Sequence, residues 1–391
     1  MRPLLHLVGG AFLVAAQIAC GPATRSQIKP DPAHPVLAIG SSAPDFALPG
    51  VDGKIHKLSD YAASKVLAVV FTCNHCPASQ LYEGRIGGIY RDYRDKGVAL
   101  VAINPDNPRS AAVEELAWTD VDDSLAGMKD RAAYRHLQYP YLYDGETQSV
   151  AGKFGVVATP QIFVFDLDRK LCYEGRIDDN LHEPLVKTRD ARNAIDALLS
   201  GRPVAVSQTG VEGCPAKWLS KSSDRGAETA KFNAEPVNLG MATADVLKKL
   251  RWNGAGKLML VNFWATWCGP CVSEFPDLVD TYRMYRGRGF ELVTVSSNEP
   301  DQEQEVLEFL RKNHASCRNL LFATADTYGL QDAFDPKMGG AVPFTLLLAP
   351  NGDVLYQEQG ELSILRMRRA ILANLRDDGE HPGLQAYWSV N

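Results

Sequence analysis

The chain has 391 residues, 45% of them hydrophobic and 23% charged, with a formal net charge of −6. This composition predicts a globular protein long enough for two domains and excludes an intrinsically disordered chain. The sequence has no basic stripe interleaved with aromatic residues, so we expect no nucleic-acid partner. Four of its eight cysteines form two Cys-x-x-Cys pairs, which indicates redox chemistry rather than a disulfide scaffold.

The first 20 residues are predicted to be an export segment. Arg2 gives a short positive start, and residues 3–18 are mostly apolar but too short and too interrupted for a transmembrane helix. The sequence Ile18-Ala19-Cys20 resembles a bacterial lipoprotein cleavage box, although Gln17 departs from the aliphatic residue usual at its position. The resemblance implies that Cys20 is lipidated and attaches the protein to a membrane.

Two other interpretations of this segment stay open: an ordinary signal peptide cleaved near Ala23, and an uncleaved anchor. All three place the body of the protein outside the cytoplasm, in the periplasm or cell envelope. Residues 21–37 are rich in proline and polar residues, which predicts a tether between the export segment and the first domain.

Apolar runs alternate with amphipathic segments over the rest of the chain. This alternation predicts α/β domains, each with a central mixed sheet flanked by helices. The first domain is predicted at 38–203 and opens with a short hairpin. Its strands are predicted at 66–71, 98–103 and 141–143, and its helices at 78–94, 110–137, 146–154 and 191–199.

One structural plan occurs twice in the sequence. In the first copy a buried strand leads into Thr72-Cys73-Asn74-His75-Cys76-Pro77. In the second, a strand at 258–261 leads into Trp267-Cys268-Gly269-Pro270-Cys271. A proline precedes a later apolar strand in each copy, Pro160 in the first and Pro343 in the second.

The second copy is predicted to be a domain at 229–380 that ends in an amphipathic helix at 364–375. Residues 204–228 are predicted to be a linker, and 381–391 a C-terminal tail. A linker of this length lets the two sites meet at an effective concentration in roughly the millimolar range, unless Trp218 packs against the first domain.

The position of each Cys-x-x-Cys pair predicts its chemistry. A strand that ends in this motif and opens a helix puts the first thiol at the helix N-terminus, where unpaired N–H groups and the helix dipole stabilise a thiolate. We therefore expect Cys73 and Cys268 to be exposed, acidified nucleophiles. Cys76 and Cys271, one turn further on, are expected to resolve the mixed disulfide.

A zinc site is the alternative explanation for a Cys-x-x-Cys pair. Zinc needs two further Cys or His ligands at ordinary spacing. After Cys271 the next candidates are His314 and Cys317, which lie far away and do not form a second pair. We therefore expect no metal and no cofactor.

The motif at 267–271 resembles the thioredoxin superfamily, and Glu274 and Pro276 resemble its extracytoplasmic TlpA/ResA-like branch. The resemblance implies that Pro160 and Pro343 are cis and face the cysteine pairs. Thioredoxin carries Asp where this chain has Asn262, so Glu274 is expected to move the proton at the second thiol.

The first domain, with its Cys-Asn-His-Cys-Pro motif, resembles the AhpC/TSA-redoxin group. His75 occupies the position of a histidine in oxidising DsbA-type proteins, so we expect it to stabilise the Cys73 thiolate and make this disulfide the more oxidising one. Electrons would then run from the second site to the first. Leu67 and Ser79 stand where carboxylate bases would be, so this site is predicted to lack both.

A peroxiredoxin is the alternative enzyme for the first domain. Its chemistry needs Thr or Ser three residues before the reactive cysteine, and Pro four residues earlier still. Before Cys76 these positions hold Cys73 and Val69. Arg176 could mimic the distal arginine of that family, but an arginine at the exposed end of a strand needs no such role. A copper chaperone that uses the first cysteine pair and a distant histidine has the wrong spacing.

The remaining cysteines receive smaller roles. Cys172 and Cys317 are predicted to be buried apolar residues. Cys214 lies in Gly213-Cys214-Pro215-Ala216-Lys217-Trp218, which resembles a tail of thioredoxin-like proteins that carry Cys-Asn-His-Cys-Pro. It is expected either to resolve a mixed disulfide with Cys73 or to be a free thiol.

These features together predict two thioredoxin-like folds behind an export signal. The predicted function is that of an extracytoplasmic thiol–disulfide oxidoreductase. Its partners would be protein thiols or disulfides of the cell envelope, and a membrane electron donor could recharge it. A non-catalytic envelope lipoprotein with two binding folds is the non-enzymatic alternative.

Overall fold

The computed structural model describes residues 28–389. The predicted export segment, Cys20 and the first part of the predicted tether lie outside these residues. Within the described range, no helix is long and apolar enough to cross a membrane.

The first domain is a five-stranded mixed sheet with helices on both faces. The sheet order is β5-β4-β3-β7-β8. The strands β3, β4 and β5 run parallel to one another, and β7 runs antiparallel to both of its neighbours, β3 and β8. The strands are β1 Ala47–Pro49, β2 Ile55–Lys57, β3 Val66–Phe71, β4 Val98–Asn104, β5 Tyr141–Tyr143, β6 Ala158–Thr159, β7 Gln161–Phe165, β8 Leu171–Gly175 and β9 Cys214–Pro215. The helices are α1 Pro77–Tyr93, α2 Leu125–Tyr134, α3 Ser149–Phe154 and α4 Asp190–Leu199.

The central strand β3 is buried on both faces, which explains its unbroken apolar run. Alternate side chains of β3 enter two different cores because successive residues of a strand point to opposite faces. Val66, Ala68 and Val70 pack with residues of α1 and α4, whereas Leu67 and Phe71 pack on the α3 side. The strand thereby delivers the cysteine motif at its end to the edge of the sheet.

The second domain repeats this plan on a six-stranded sheet of order β10-β13-β12-β11-β14-β15, in which β14 runs antiparallel to both of its neighbours, β11 and β15, and the other pairs are parallel. Its strands are β10 Leu239–Ala242, β11 Leu258–Trp264, β12 Phe290–Ser296, β13 Arg318–Phe322, β14 Phe344–Leu348 and β15 Val354–Gln359. Its helices are α5 Ser222–Asn233, α6 Ala244–Trp252, α7 Gly269–Tyr285, α8 Glu303–Lys312, α9 Thr327–Phe334, α10 Ile364–Asn374 and α11 Leu384–Ser389. The expectation of two mixed sheets flanked by helices is confirmed.

The helix predicted at 110–137 is wrong in its first half. The structure has a short 3-10 helix at Glu114–Trp118 and then α2, which begins after Ser124. Ser124 caps α2 by accepting a hydrogen bond from the backbone N–H of Gly127. Residues 119–123 stay irregular because the polar side chains of Thr119, Asp120 and Asp123 are buried in contacts with other elements, a tertiary effect that local spacing does not carry.

The predicted linker and the end of the predicted tether are packed against the first domain. The amide of Leu37 donates to the carbonyl of Phe154, and the ring of His34 stacks on Trp218 at 4.0 Å. The side chain of Trp218 is itself buried in the core on the α3 side. Trp218 thus packs against the first domain, which is the condition under which the linker was not expected to bring the two sites together, and residues 34–37 of the predicted tether are packed as well.

The C-terminal tail is also part of the packed structure, because α11 lies against α1 of the first domain. Trp388 is buried, donates its indole N–H to Gln80 at 3.2 Å, and has the Arg131 guanidinium over its ring. The hydroxyl of Tyr285 on α7 donates to the backbone carbonyl of Thr119 at 2.6 Å. The two domains thus share an interface of buried aromatic and charged side chains.

Candidate active sites

In the second domain, the cysteine pair forms a disulfide at the start of α7. Cys268 is the N-cap residue of this helix and is joined to Cys271. Its sulfur lies 3.6 Å from the carbonyl oxygen of Val342, and the Val342–Pro343 peptide bond is cis. Cys268 is nearly buried, whereas the neighbouring Trp267 is 65% exposed. The disulfide therefore lies beneath an apolar surface ring, between the helix start and the proline loop.

Glu274 lies one turn beyond Cys271, in a buried position on α7. One of its carboxylate oxygens accepts from the amide of Leu362 at 3.0 Å, and the other is buried without a hydrogen-bond partner. Burial, with a contribution from the nearby Glu358 and Glu361, raises the pKa of Glu274 to about 7. A carboxyl group with this pKa can gain and lose a proton at neutral pH.

In the first domain, both cysteines of the motif are free thiols and both are buried. Cys76 is the N-cap residue of α1. Thr159 contacts both thiols: its hydroxyl lies 3.1 Å from the sulfur of Cys73, and its carbonyl oxygen 3.3 Å from that of Cys76. The Thr159–Pro160 bond is cis. The two sites therefore share the proline loop, but the helix begins after the second cysteine in the first site and after the first cysteine in the second, so the expectation that the first thiol caps the helix is wrong for Cys73.

A buried ion pair lies directly beside these thiols. The Nδ1 atom of His75 is 2.5 Å from a carboxylate oxygen of Asp123, whose other oxygen accepts from the amide of Asn74 and the side chain of Asn104. Burial would lower the pKa of His75, but Asp123 and the nearby Asp106 raise it to about 9. Burial raises the pKa of Asp106 to about 6.

The thiol that this environment acidifies is Cys76. Burial opposes its ionisation, yet hydrogen bonding with the thiols of Cys214 and Cys73 and the charge of His75 hold the pKa of Cys76 well below its usual range. Burial, hydrogen bonding with Cys76 and the charge of Asp106 raise the pKa of Cys73 well above the usual range of a thiol. A thiolate in this cluster therefore forms at the second cysteine of the motif.

Comparisons with known proteins agree with the two folds. The AhpC/TSA family matches residues 39–174, and the Redoxin family matches residues 238–371. The thiol-disulfide oxidoreductase ResA of Oceanobacillus iheyensis is 34% identical over 113 residues, which cover 29% of this chain and 54% of that protein. The Bacillus subtilis protein of the same name is 27% identical over 143 residues, covering 37% and 72%.

The chain thus carries an AhpC/TSA match and a Redoxin match in tandem, and over part of its length it is similar to ResA thiol-disulfide oxidoreductases. Its resemblance to the AhpC/TSA-redoxin and TlpA/ResA-like groups is thus confirmed. It spans about half the length of the first of these curated relatives and nearly three quarters of the second.

Two solved structures are also similar. A hypothetical protein of Sinorhizobium meliloti is 32% identical and covers 48% of this chain and 98% of its own, with a TM-score of 0.42. An uncharacterized conserved protein of Geobacillus kaustophilus is 36% identical and covers 47% and 94%, also with a TM-score of 0.42.

Two expectations about the first site are wrong: the exposure and acidity of Cys73, and the thiol on which His75 acts. Cys73 is 3% exposed and its pKa is raised, so it is not an exposed, acidified thiol. In the second site Cys268, at 6% exposure, is likewise more buried than expected. The charge of His75 is paired with Asp123 and favours the thiolate of Cys76 rather than that of Cys73.

Sequence reasoning also missed two residues of the first site, Asp106 and Asp123, and left the role of Cys214 open. Leu67 and Ser79 do occupy the two positions where carboxylate bases were expected. Two other carboxylates lie in the site instead: Asp106, in the segment after β4, and Asp123, just before α2. Cys214 lies on β9, which follows the last strand of the five-stranded sheet in the chain and pairs with β6. The signal for Asp106 was available, because a polar turn after a buried parallel strand lies at the same sheet edge as the cysteine motif.

Other side chains lie away from the sites. Arg176 donates to Asp190 at 2.8 Å in a surface ion pair, as expected for an arginine at a strand end. Cys317 is buried, as predicted, and burial raises its pKa to about 12. Cys172 is half-buried on β8, so the prediction that it is a core residue is wrong.

Proposed function

We propose that this protein is an extracytoplasmic thiol–disulfide oxidoreductase that acts on protein thiols and disulfides through its two Cys-x-x-Cys sites. The observation that carries the proposal is the Cys268–Cys271 disulfide at the N-terminus of α7, beside the cis Pro343 and beneath the exposed Trp267. A helix N-terminus stabilises the thiolate that leaves when such a disulfide is attacked. The names of the ResA relatives support the same reaction.

In the proposed reaction, the Cys268 thiolate of the reduced pair attacks a substrate disulfide, forms a mixed disulfide and releases one substrate thiolate. The Cys271 thiolate then attacks the sulfur of Cys268, which forms the Cys268–Cys271 disulfide and releases the second substrate thiolate; the reverse sequence oxidises a substrate dithiol. Cys268 is assigned the bond to the substrate because it caps the helix next to Trp267, and Cys271 is assigned the resolving step. Glu274 is assigned the proton of Cys271, and Pro343 shapes the groove in which the substrate cysteine lies.

Trapping of the mixed disulfide tests this proposal. With Cys271→Ala, the substrate is expected to remain bound to Cys268, and a non-reducing gel or intact mass would reveal the adduct formed by exchange with a peptide that contains a disulfide. Cys73→Ala tests the first site in the same way, because the environment of that site favours the thiolate of Cys76. Cys317→Ala is the control, because it removes a buried thiol of the second domain outside the motif. If neither motif variant accumulates an adduct, the exchange reaction is wrong.

A turnover assay separates an enzyme from a binding protein. The wild-type chain is expected to accelerate the reduction of insulin by dithiothreitol, and Cys73→Ser/Cys268→Ser is expected to abolish the acceleration. Equal rates for the two proteins would favour the non-catalytic envelope lipoprotein.

The location and the lipid anchor are parts of the same proposal. Attachment through Cys20 predicts that the protein sediments with membranes and incorporates labelled fatty acid, and that Cys20→Ser abolishes both. A labelled Cys20→Ser protein would rule out this anchor, and recovery of the wild type in the cytoplasmic fraction would rule out an extracytoplasmic enzyme.

An electron relay from the second site to the first rests on the stabilised thiolate in the first domain. Stabilising the thiolate favours the reduced form and makes the disulfide more oxidising. Because the linker is packed against the first domain, it does not bring the two sites together as a flexible tether would. Electron transfer between them would therefore need a shared partner or an opening of the interface. The charge of His75 favours the thiolate of Cys76, whereas the sequence predicted that it would favour the thiolate of Cys73.

Redox titration of the full chain in glutathione or dithiothreitol buffers, with each pair quantified by mass spectrometry, tests the relay. The Cys73/Cys76 pair is expected to have the higher reduction potential, and His75→Pro is expected to lower it. A gap of about 30 mV would bias the transfer by about 1.4 kcal/mol. Equal potentials, or a lower value for the first domain, would leave two independent modules.

A further inference from the structure

Three thiols, rather than two, meet in the first domain. The strand β9 pairs antiparallel with β6, and this register sets Cys214 opposite Thr159. Thr159 is the residue whose hydroxyl and carbonyl contact Cys73 and Cys76. The thiol of Cys214 contacts that of Cys76, so the second cysteine of the motif has a sulfur neighbour on each side.

The segment that carries Cys214 is held firmly in this position. Gly213 lies so close to Thr159 that a β-carbon would come within 2.0 Å of the Thr159 carbonyl oxygen. The amide of Ala216 donates to the carbonyl of Val157, and the amide of Lys217 donates to Asp106 at 2.7 Å. The contact between Cys214 and Cys76 is therefore set by backbone pairing on both sides of the cysteine.

We propose that Cys214 is a third redox cysteine, and that it exchanges with a Cys73–Cys76 disulfide to form a Cys76–Cys214 disulfide. The proposal rests on the proposed function, because exchange with a substrate disulfide is what first oxidises the pair. Cys214 is half-buried whereas Cys73 and Cys76 are buried, so the exchange moves the disulfide toward the surface, where a partner can reach it.

The step is balanced in atoms and electrons. The Cys214 thiolate attacks the sulfur of Cys76, the Cys76–Cys214 bond forms, and the Cys73–Cys76 bond breaks. Cys73 leaves as a thiolate and takes up the proton that Cys214 has lost. The carboxyl group of Asp106 contacts Cys73 and is placed to pass on that proton. There is no net oxidation, so the step needs no further oxidant.

A metal site is the competing explanation for this cluster. Donor atoms of Cys73, His75, Asp106 and Asp123 lie within 4.8 Å of one another. However, the carboxylate of Asp123 already accepts hydrogen bonds from His75, Asn74 and Asn104, which is the arrangement of a group that positions a histidine. The thiol contacts therefore favour disulfide exchange.

Disulfide mapping of the full chain tests the proposal. The Cys73→Ser variant is oxidised with glutathione disulfide, its free thiols are alkylated, and it is digested without reduction. A Cys76–Cys214 cross-link is expected as the main product of this domain. Cys172→Ser is the matched control, since it removes a half-buried thiol on β8 and should leave the wild-type pattern unchanged. Full alkylation of both Cys76 and Cys214 in Cys73→Ser would overturn the proposal.

Two further measurements keep the result interpretable if Cys73→Ser folds poorly. In the wild type, oxidation is expected to give a mixture of Cys73–Cys76 and Cys76–Cys214 cross-links; absence of the second at every glutathione ratio would contradict the proposal. Elemental analysis of the reduced wild type provides the other measurement. One tightly bound zinc per chain that is lost in Asp106→Asn would replace the disulfide with a metal site.

The outcomes also distinguish this proposal from the proposed function. Trapped substrate adducts without a Cys76–Cys214 cross-link would retain the oxidoreductase and refute the third thiol. A Cys76–Cys214 cross-link in a protein that forms no adduct with any substrate would retain the third thiol and refute the exchange with protein substrates.

Discussion

Glu274 is the residue that should set the pH dependence of the second site. Burial raises its pKa to about 7, so the carboxylate that accepts the Cys271 proton predominates only above that pH. In a chain carrying Cys73→Ser/Cys76→Ser, the rate of disulfide reduction is expected to rise as the pH passes through 7. Glu274→Gln should lose this inflection and be slower by about a hundredfold at pH 8, within the range for general acid–base catalysis.

The control for this experiment is Glu361→Gln, because Glu361 is an exposed carboxylate close enough to influence Glu274. It should keep the inflection and move it slightly to lower pH. An unchanged pH profile in Glu274→Gln would show that this carboxyl group does not take part in proton transfer.

The ion pair of His75 and Asp123 gives a second prediction at the scale of single residues. Asp123→Asn is expected to lower the pKa of His75 from about 9 toward its ordinary value of about 6.5. The stabilisation from this raised pKa is fully present below about pH 6.5 and is lost as the pH rises through about 9. NMR titration of the His75 ring, together with denaturation at several pH values, measures both effects.

Asp122→Asn is the matched control for this pair, since it makes the same change at the adjacent, exposed position. It should leave the titration of His75 near pH 9. A His75 midpoint that is the same in Asp123→Asn and in the wild type would refute the ion pair as its cause.

At the scale of elements, the segment 213–218 is predicted to depend on Trp218. This side chain is buried in the core on the α3 side and stacks on His34, so it anchors β9 and with it Cys214. Trp218→Ala is expected to cost about 3–5 kcal/mol of unfolding free energy, as for other buried aromatic residues. It should also make Cys214 react faster with iodoacetamide. Urea denaturation and mass spectrometry measure these effects.

Leu219→Ala is the comparison for this element, because Leu219 is adjacent to Trp218 and 37% exposed. It should change stability and the alkylation of Cys214 little. Similar effects of the two substitutions would mean that the tryptophan does not anchor the strand.

At the scale of the whole molecule, Asp120 joins the two domains. Its carboxylate is fully buried, 3.2 Å from the Arg131 guanidinium of its own domain and 2.7 Å from Arg369 on α10. Asp120→Asn leaves two arginines without their counter-charge, which is expected to cost about 3–5 kcal/mol. The wild type should unfold in one calorimetric transition, and this variant in two, because the interface is lost first.

Asp130→Asn serves as the control, since it makes the same change at an exposed position of α2. It should retain the wild-type transition. Two transitions in the wild type, or an unchanged single transition in Asp120→Asn, would mean that this interface does not couple the domains.

The sequence alone determined the features that depend on local order. Unbroken apolar runs predicted β3 and β11 because a strand buried on both faces has no polar alternation. The same local reasoning placed both cysteine pairs at helix starts and both prolines before β7 and β14. These features extend over a few neighbouring residues, so their physical cause is contained in the sequence window that encodes them.

Only the tertiary structure decided which side chains surround the first pair and how the domains are joined. Asp123 reaches His75 and Cys214 reaches Cys76 from distant parts of the chain; the sequence gave no sign of the first contact and left the role of Cys214 open. Residues 119–123 are not helical as predicted, and the predicted tail contains the packed helix α11. In both places buried polar and aromatic contacts outweigh local propensity. The acidity of Cys76 follows from this convergence, since a pKa depends on burial and neighbouring charges rather than on position in a motif.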